Sequence, residues 1–183
     1  MIEKVFNTQK QIFQNLLEET LWDYAASPEK TKGVINIGAG TSAFSFRNDG
    51  PGIPAVSMAN AVLSVPYDQV PEEPISVGYS LNQYVGHEVL EIHSWQIGHC
   101  TVLKYGRDEK TFKRKLMQFT SFPAFDFTGL LVHIEWEPAL EEAAVLTKKD
   151  VIRAFQKVYS GAWDIPRPVW KPELWFNGEQ IRY

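Results

Sequence analysis

The chain has 183 residues, of which 44% are hydrophobic and 22% are charged. This length fits one domain with one hydrophobic core, and the composition excludes an intrinsically disordered chain. The formal net charge of −4 removes the broad positive field on which nucleic-acid-binding proteins depend, so direct nucleic-acid binding is not expected. A single cysteine excludes an internal disulfide, and neither a membrane-spanning apolar run nor a signal peptide is apparent, so we expect a cytoplasmic protein.

Helical periodicity marks the first part of the chain. Apolar residues between Thr8 and Ala26 recur at helical spacing, which predicts a helix that ends before Pro28. A shorter helix is predicted after Pro54, and a weaker helical pattern follows Gly78. These segments supply the helices of the predicted fold.

Short apolar runs bounded by glycine, proline or aspartate predict strands elsewhere. The runs GVINIGAG and TSAFSFRN predict a hairpin around Gly38–Thr41, and ELWFNGEQIRY predicts another that turns at Asn177 and Gly178. This order favours an α+β fold with helices on one face of a mixed, mainly antiparallel sheet. The remaining predicted elements are strands Val89–Trp95, His99–Tyr105, Thr111–Phe119 and Gly129–Trp136, and a helix Lys148–Tyr159 capped by Thr147 with Asp150.

The stretch FRNDGPGIP, residues 46–54, joins the first hairpin to the next predicted helix. Asn, Asp, Gly and Pro are the usual turn residues, so an ordinary turn explains its composition. The composition alone favours that turn, and a ligand-binding loop is the alternative. Gly50 and Gly52 would remove Cβ atoms where a flat ligand lies, and Asn48 offers a donor and an acceptor to an adenine edge.

Two acidic residues of the first predicted helix lie on one face. Glu19 and Asp23 are four residues apart, and like charges at this spacing repel unless a cation lies beside them. They form either a metal-dependent site or a solvated acidic face. Gly78, before a predicted helix, is placed to let phosphate oxygens approach backbone N–H groups. Neither a Walker A motif nor a G-x-G-x-x-G motif is present.

In chain order, these motifs resemble the Bergerat-type ATP-binding domain of the GHKL family, most closely that of type IIA DNA topoisomerases. EETLWDYAA is similar to the family's first motif, NDGPGIP to its glycine-containing loop, and VGY to the end of its lid motif. Thr128 and Gly129 resemble the strand signature behind the adenine. The resemblance, from about Phe13 to Gln180, implies a two-layer α/β sandwich: a single domain over 1–183 without a transducer domain.

This resemblance implies that the domain binds ATP or ADP with Mg²⁺. It assigns Glu19 as the general base that activates water and Asp23 as the metal ligand. Asp23 stands where the family has an asparagine, and EEPIS stands where it has further glycines. In topoisomerases the transducer domain supplies a lysine that reaches the γ-phosphate, so the resemblance implies slow hydrolysis without a lysine from a partner. The implied nucleotide contacts are Asn48, Gly50, Gly52, Ile53, Gly78, Tyr79 and Thr128.

Two functions remain open from the sequence. The first is a nucleotide-binding domain and slow ATPase that acts within or beside a type II topoisomerase-like assembly, with a topoisomerase-like subunit or a second copy as partner. The second is a degenerate, non-hydrolysing interaction module, either a topoisomerase or gyrase subunit or a mimic of viral or mobile-element origin. The acidic VPYDQVPEEPIS and the aromatic WDIPRPVWKPELW motivate the second function.

Overall fold

The computed structural model of the chain describes residues 14, 17, 21, 33–50, 52–56, 58, 89–107, 110, 114–125, 127–135, 145–160 and 172–182. Within these ranges, one eight-stranded sheet is accompanied by a twelve-residue helix. The elements are β1 (Val34–Ala39), β2 (Ala43–Asn48), β3 (Val89–Gln96), β4 (His99–Arg107), β5 (Arg114–Pro123), β6 (Gly129–Glu135), α1 (Lys148–Tyr159), β7 (Glu173–Phe176) and β8 (Glu179–Ile181).

The strands are ordered β5-β4-β3-β6-β2-β1-β7-β8 across the sheet. Neighbouring strands are antiparallel, except that β1 and β7 run parallel. The structure therefore confirms the α+β class and the mixed, mainly antiparallel sheet. None of the helices described here is long and apolar enough to span a bilayer.

Period-two alternation in the central strands builds the hydrophobic core. Ile35 in β1, Phe46 in β2, Ile92 in β3 and Val132 in β6 are all fully buried, because alternate residues of a strand face the same side of the sheet. The apolar stripe of α1, which includes Phe155, belongs to the same core. Burying each such side chain contributes about 1.5–3 kcal/mol to folding.

Local signals set the limits of α1 and of the last hairpin. The Thr147 side chain accepts a hydrogen bond from the Asp150 N–H, and the Asp150 carboxylate accepts one from the Thr147 N–H at 2.9 Å, which completes a capping box. Asn177 and Gly178 have φ values of 48° and 81°, the left-handed backbone that a tight hairpin turn needs. The predicted helix Lys148–Tyr159 and the predicted turn are confirmed.

Strand β5 differs from its predicted range. It runs from Arg114 to Pro123 rather than from Thr111 to Phe119, because the ladder with β4 continues until His99 pairs with Pro123. The predicted residues 111–113 lie outside the part that the structure describes. Chain-local alternation does not record where the partner strand ends, so pairing decided this boundary.

The sheet face opposite the core carries a charged cluster on β3 and β4. The Glu91 carboxylate accepts a hydrogen bond from Lys104 at 2.9 Å across the ladder and contacts His93 on its own strand. Partial burial raises the pKa of Glu91, but the hydrogen bonds from His93 and Lys104 lower it more, so the net pKa lies below the ordinary 4.5. The carboxylate is therefore held ionised.

We expect Glu91→Gln to lower the free energy of unfolding by about 0.5–1 kcal/mol at pH 7, since the pair is partly exposed. A depressed carboxylate pKa stabilises the fold above the unfolded-state pKa, and this contribution is lost as pH falls through the folded-state pKa. The difference in unfolding free energy between wild type and Glu91→Gln should thus shrink below pH 4.5. Urea titrations across pH measure this difference, and a difference that stays constant would contradict the pairing. Glu179→Gln is the control, because the Glu179 side chain is 78% exposed and its ion pair with Lys148, at 3.6 Å, is more strongly screened by solvent.

Candidate functional site

The sequence-predicted site residues divide into two groups. Glu19, Asp23, Gly78 and Tyr79 lie outside the residues that the structure describes. The others lie together at one end of the sheet, where β2 ends and β6 begins. These are Asn48, Gly50, Gly52, Ile53 and Thr128. We call the described residues 48–50 and 52–53 the β2 loop.

Asn48 is the last residue of β2 and is 8% exposed. Its Oδ1 accepts a hydrogen bond from the Gly50 N–H at 2.9 Å, which turns the chain out of the strand. A side-chain amide has two N–H donors and a second acceptor lone pair beyond this bond. Asn48 therefore shapes the β2 loop and still has donor and acceptor capacity suited to a nucleobase edge.

Asp49 ties the same loop to β1. One oxygen of its carboxylate accepts a hydrogen bond from the Val34 N–H at 3.0 Å, at the first residue of that strand. A turn residue with a carboxylate often bonds backbone groups nearby in sequence, whereas this bond spans 15 residues. Asp49 thus orients the loop against its neighbouring strand.

Gly52 lies where the β2 loop meets the sheet backbone. Its φ is +72°, and a Cβ there would lie 2.5 Å from the Trp95 carbonyl oxygen and 2.8 Å from Ser94 Oγ. A side chain is therefore excluded by both conformation and space. The missing Cβ was predicted to make room for a ligand, but in the structure the sheet itself fills that space.

Ser94 anchors the loop from β3. Its hydroxyl accepts a hydrogen bond from the Ile53 N–H at 2.6 Å and donates one to the Ile53 carbonyl at 2.8 Å. Sequence analysis missed this residue. The available signal was the alternation of Leu90, Ile92 and Ser94, which places a hydroxyl at a core-facing position, where a buried polar group needs a partner.

Thr128 and Gly129, at the start of β6, lie on the other side of the β2 loop. A Cβ on Gly129 would lie 2.7 Å from the Asn48 carbonyl oxygen, so only glycine allows β6 and the β2 loop to approach so closely. The Thr128 hydroxyl is buried without a hydrogen-bond partner among the described residues. An unsatisfied buried hydroxyl costs roughly 1–3 kcal/mol, which a ligand or water would offset.

Trp95, the residue after Ser94 in β3, borders the β2 loop with its backbone and places its indole on the sheet face opposite the core. Its carbonyl oxygen borders Gly52, while its indole packs 5.4 Å from the Phe127 ring and 5.5 Å from the His93 ring. The Arg47 guanidinium lies 5.9 Å from the indole centroid, a cation–π arrangement. These contacts pack the Trp95 indole against side chains of β2, of β3 and of the segment before β6.

No metal-binding group or reactive thiol is found in the part of the chain that the structure describes. It contains no set of three or more His, Cys, Asp or Glu side chains placed to hold a metal. Burial raises the pKa of the Cys100 thiol, which keeps it protonated and unreactive. The site described here is a polar corner with amide and hydroxyl groups.

Comparison with known proteins shows a likeness of fold to one solved structure. No family model and no curated protein matches the chain. Among solved structures, it is similar to the ATPase region of Saccharomyces cerevisiae topoisomerase II, with a TM-score of 0.50 and 14% identity over 94% of this chain. What the two share is the fold. The chain spans 48% of the length of that structure.

We expect Gly52→Ala to destabilise the protein by roughly 3 kcal/mol or more, because the new Cβ meets backbone oxygen and imposes a strained φ. Gly98→Ala is the matched control, since Gly98 also has a positive φ, +85°, but has open space around its Cβ position. That control should cost only about 1–2 kcal/mol. Chemical denaturation measures both, and equal losses would show that the close approach to β3 is not needed.

Proposed function

We propose that the chain is a GHKL-type domain that binds ATP or ADP, with the β2 loop as its adenine-contacting segment. The observation that carries this proposal is the polar corner itself. The buried Asn48 amide lies where Gly129 brings two strands into close approach, and so does the buried Thr128 hydroxyl, which has no hydrogen-bond partner among the residues that the structure describes. A nucleobase would supply the hydrogen bonds that such groups require.

The roles in this proposal follow the chemistry of each group. The Asn48 amide pairs with the adenine edge, and Thr128 donates to or accepts from the base directly or through water. Gly50 and Ile53 contribute backbone close to the ligand. Both residues are already held in place, by Asn48 and Ser94 respectively. The base side of the proposed site is thus ordered before the ligand arrives.

The phosphate and metal roles rest on the sequence motifs. We assign Gly78 and Tyr79 to phosphate contacts, Asp23 to Mg²⁺ and Glu19 to activation of water. Bound Mg²⁺ would neutralise phosphate charge, as carboxylate-held magnesium does at nucleotide sites. Glu19 would accept a proton from water as general base. The proposed domain spans 1–183, and the type II topoisomerase-like partner or second copy remains part of this proposal.

A second candidate function is a non-hydrolysing interaction module. Three apolar side chains near the β3–β4 turn are exposed: Ile97 at 78%, Phe122 at 46% and Phe125 at 87%. The Ala124 N–H donates to the Gly98 carbonyl at 3.1 Å, which joins the segment of Phe125 to that turn. Exposed apolar clusters are typical of protein-binding surfaces.

The first test of nucleotide binding is calorimetry with ADP, and with a non-hydrolysable ATP analogue and Mg²⁺. Asn48→Ala should weaken binding roughly 10- to 100-fold, the effect of losing a buried hydrogen bond. Asn36→Ala, at an exposed position on β1, should bind like wild type. If the wild-type chain shows neither heat nor a thermal shift at millimolar nucleotide, the interaction module becomes the better function.

A second test concerns hydrolysis. We expect Glu19→Gln to retain nucleotide affinity and to abolish phosphate release, because an amide keeps the shape of the carboxylate but cannot accept the proton from water. Phosphate release by the purified wild-type chain provides the reference rate. Equal turnover in the variant would remove Glu19 from the mechanism.

A further inference from the structure

The floor beneath the β2 loop is formed by two consecutive residues of β3. Ser94 contacts the loop through its hydroxyl, and Trp95 borders it through its carbonyl oxygen. Ser94 is 1% exposed and sits opposite Leu130 in the β3–β6 ladder. Because Leu130 also pairs with Asn48, the two polar residues occupy one row across the three central strands.

The Ser94 hydroxyl binds the backbone of Ile53 much as a neighbouring strand would. It both accepts from the N–H and donates to the carbonyl of Ile53. These are the two bonds that a neighbouring strand would otherwise provide. Pro51 and Pro54 have no backbone N–H group. Between these two prolines, only Gly52 and Ile53 can donate a backbone hydrogen bond to the sheet.

We propose that Ser94 is a positioning residue for the nucleotide site, whose hydroxyl holds Ile53 and so fixes the β2 loop in its binding conformation. The inference rests on the proposed function and adds a residue that touches neither base nor phosphate. A loop that is already ordered loses less conformational entropy when a ligand binds. Removing the hydroxyl should therefore weaken nucleotide binding, although no ligand-contacting residue is itself substituted.

Thr101 provides a matched control. It pairs with Ser94 in the β3–β4 ladder, is 2% exposed and also carries a hydroxyl. Its Oγ1 donates to Ser121 Oγ at 3.3 Å on β5, away from the loop. Thr101→Val thus removes a hydroxyl of similar burial without changing any bond to the β2 loop.

Hydrogen exchange without nucleotide tests the anchor directly. In Ser94→Ala, the Ile53 amide should exchange at least roughly tenfold faster than in wild type, because its acceptor is gone. In Thr101→Val, Ile53 should exchange at the wild-type rate. If Ser94→Ala leaves Ile53 protection unchanged, or if both variants raise its exchange equally, the anchor role is wrong.

Calorimetry with ADP then tests the link to affinity, at a temperature where circular dichroism shows each protein to be folded. Ser94→Ala should bind roughly tenfold more weakly, and Thr101→Val should stay within about twofold of wild type. Equal affinities in both variants would overturn the positioning role and leave the proposed function standing. A wild-type chain that binds no ADP, with Ile53 protection still dependent on Ser94, would instead overturn the proposed function.

A second pair of variants separates the hydroxyl from side-chain volume. Ser94→Thr and Ser94→Val are close in shape, but valine has a methyl group where threonine has the hydroxyl, and Ser94→Thr keeps the anchoring group if Ser94→Ala does not fold. Ser94→Thr should restore both Ile53 protection and ADP affinity relative to Ser94→Val. Identical behaviour of these two variants would contradict the inference, because a purely structural role depends on volume rather than on the hydroxyl.

Discussion

Register in the β3–β6–β2 ladder is the constraint on which the candidate site depends. It places Ser94, Leu130 and Asn48 in one row on the core face of the sheet. A slip of one residue in β3 or β2 would move Ser94 or Asn48 to the opposite face of the sheet. The apolar row directly beneath, which includes Ile92 and Val132, makes such a slip costly because it would expose buried side chains.

The row of Ser94, Leu130 and Asn48 lies at the edge of the apolar core, next to the backbone of the β2 loop. Asn48 and Ser94 are buried, so each needs a hydrogen-bond partner, and each finds one in the β2 loop. Gly52 and Gly129 allow the backbones to approach closely enough for these bonds. Polar burial and tight packing therefore support one another beside the Thr128 hydroxyl, which has no hydrogen-bond partner within the described part of the chain.

Strand β5, at the edge of the sheet, differs from the central strands because it exposes apolar side chains. Strand β5 has β4 on one side within the described chain, and it exposes apolar residues such as Met117 and Phe119. A register shift between Lys104 and Tyr105 bends this ladder, and Pro123 ends it without an N–H group. Bulges and edge prolines discourage pairing with another strand. Strand β5 is therefore a poor template for extension of the sheet, although it exposes apolar side chains.

Local patterns in the sequence determined the strands, the helix α1 with its Thr147 cap, the turn at Asn177 and the composition of the β2 loop. Each depends on residues only a few positions apart, and the motif order further indicated a fold similar to that of a topoisomerase ATPase region. The tertiary structure decided why Gly52 is needed and what holds Ile53. The bond from Ile53 to Ser94 spans 41 residues, so no local pattern contains it. It depends on strand register, which the packed core selects and chain-local periodicity cannot.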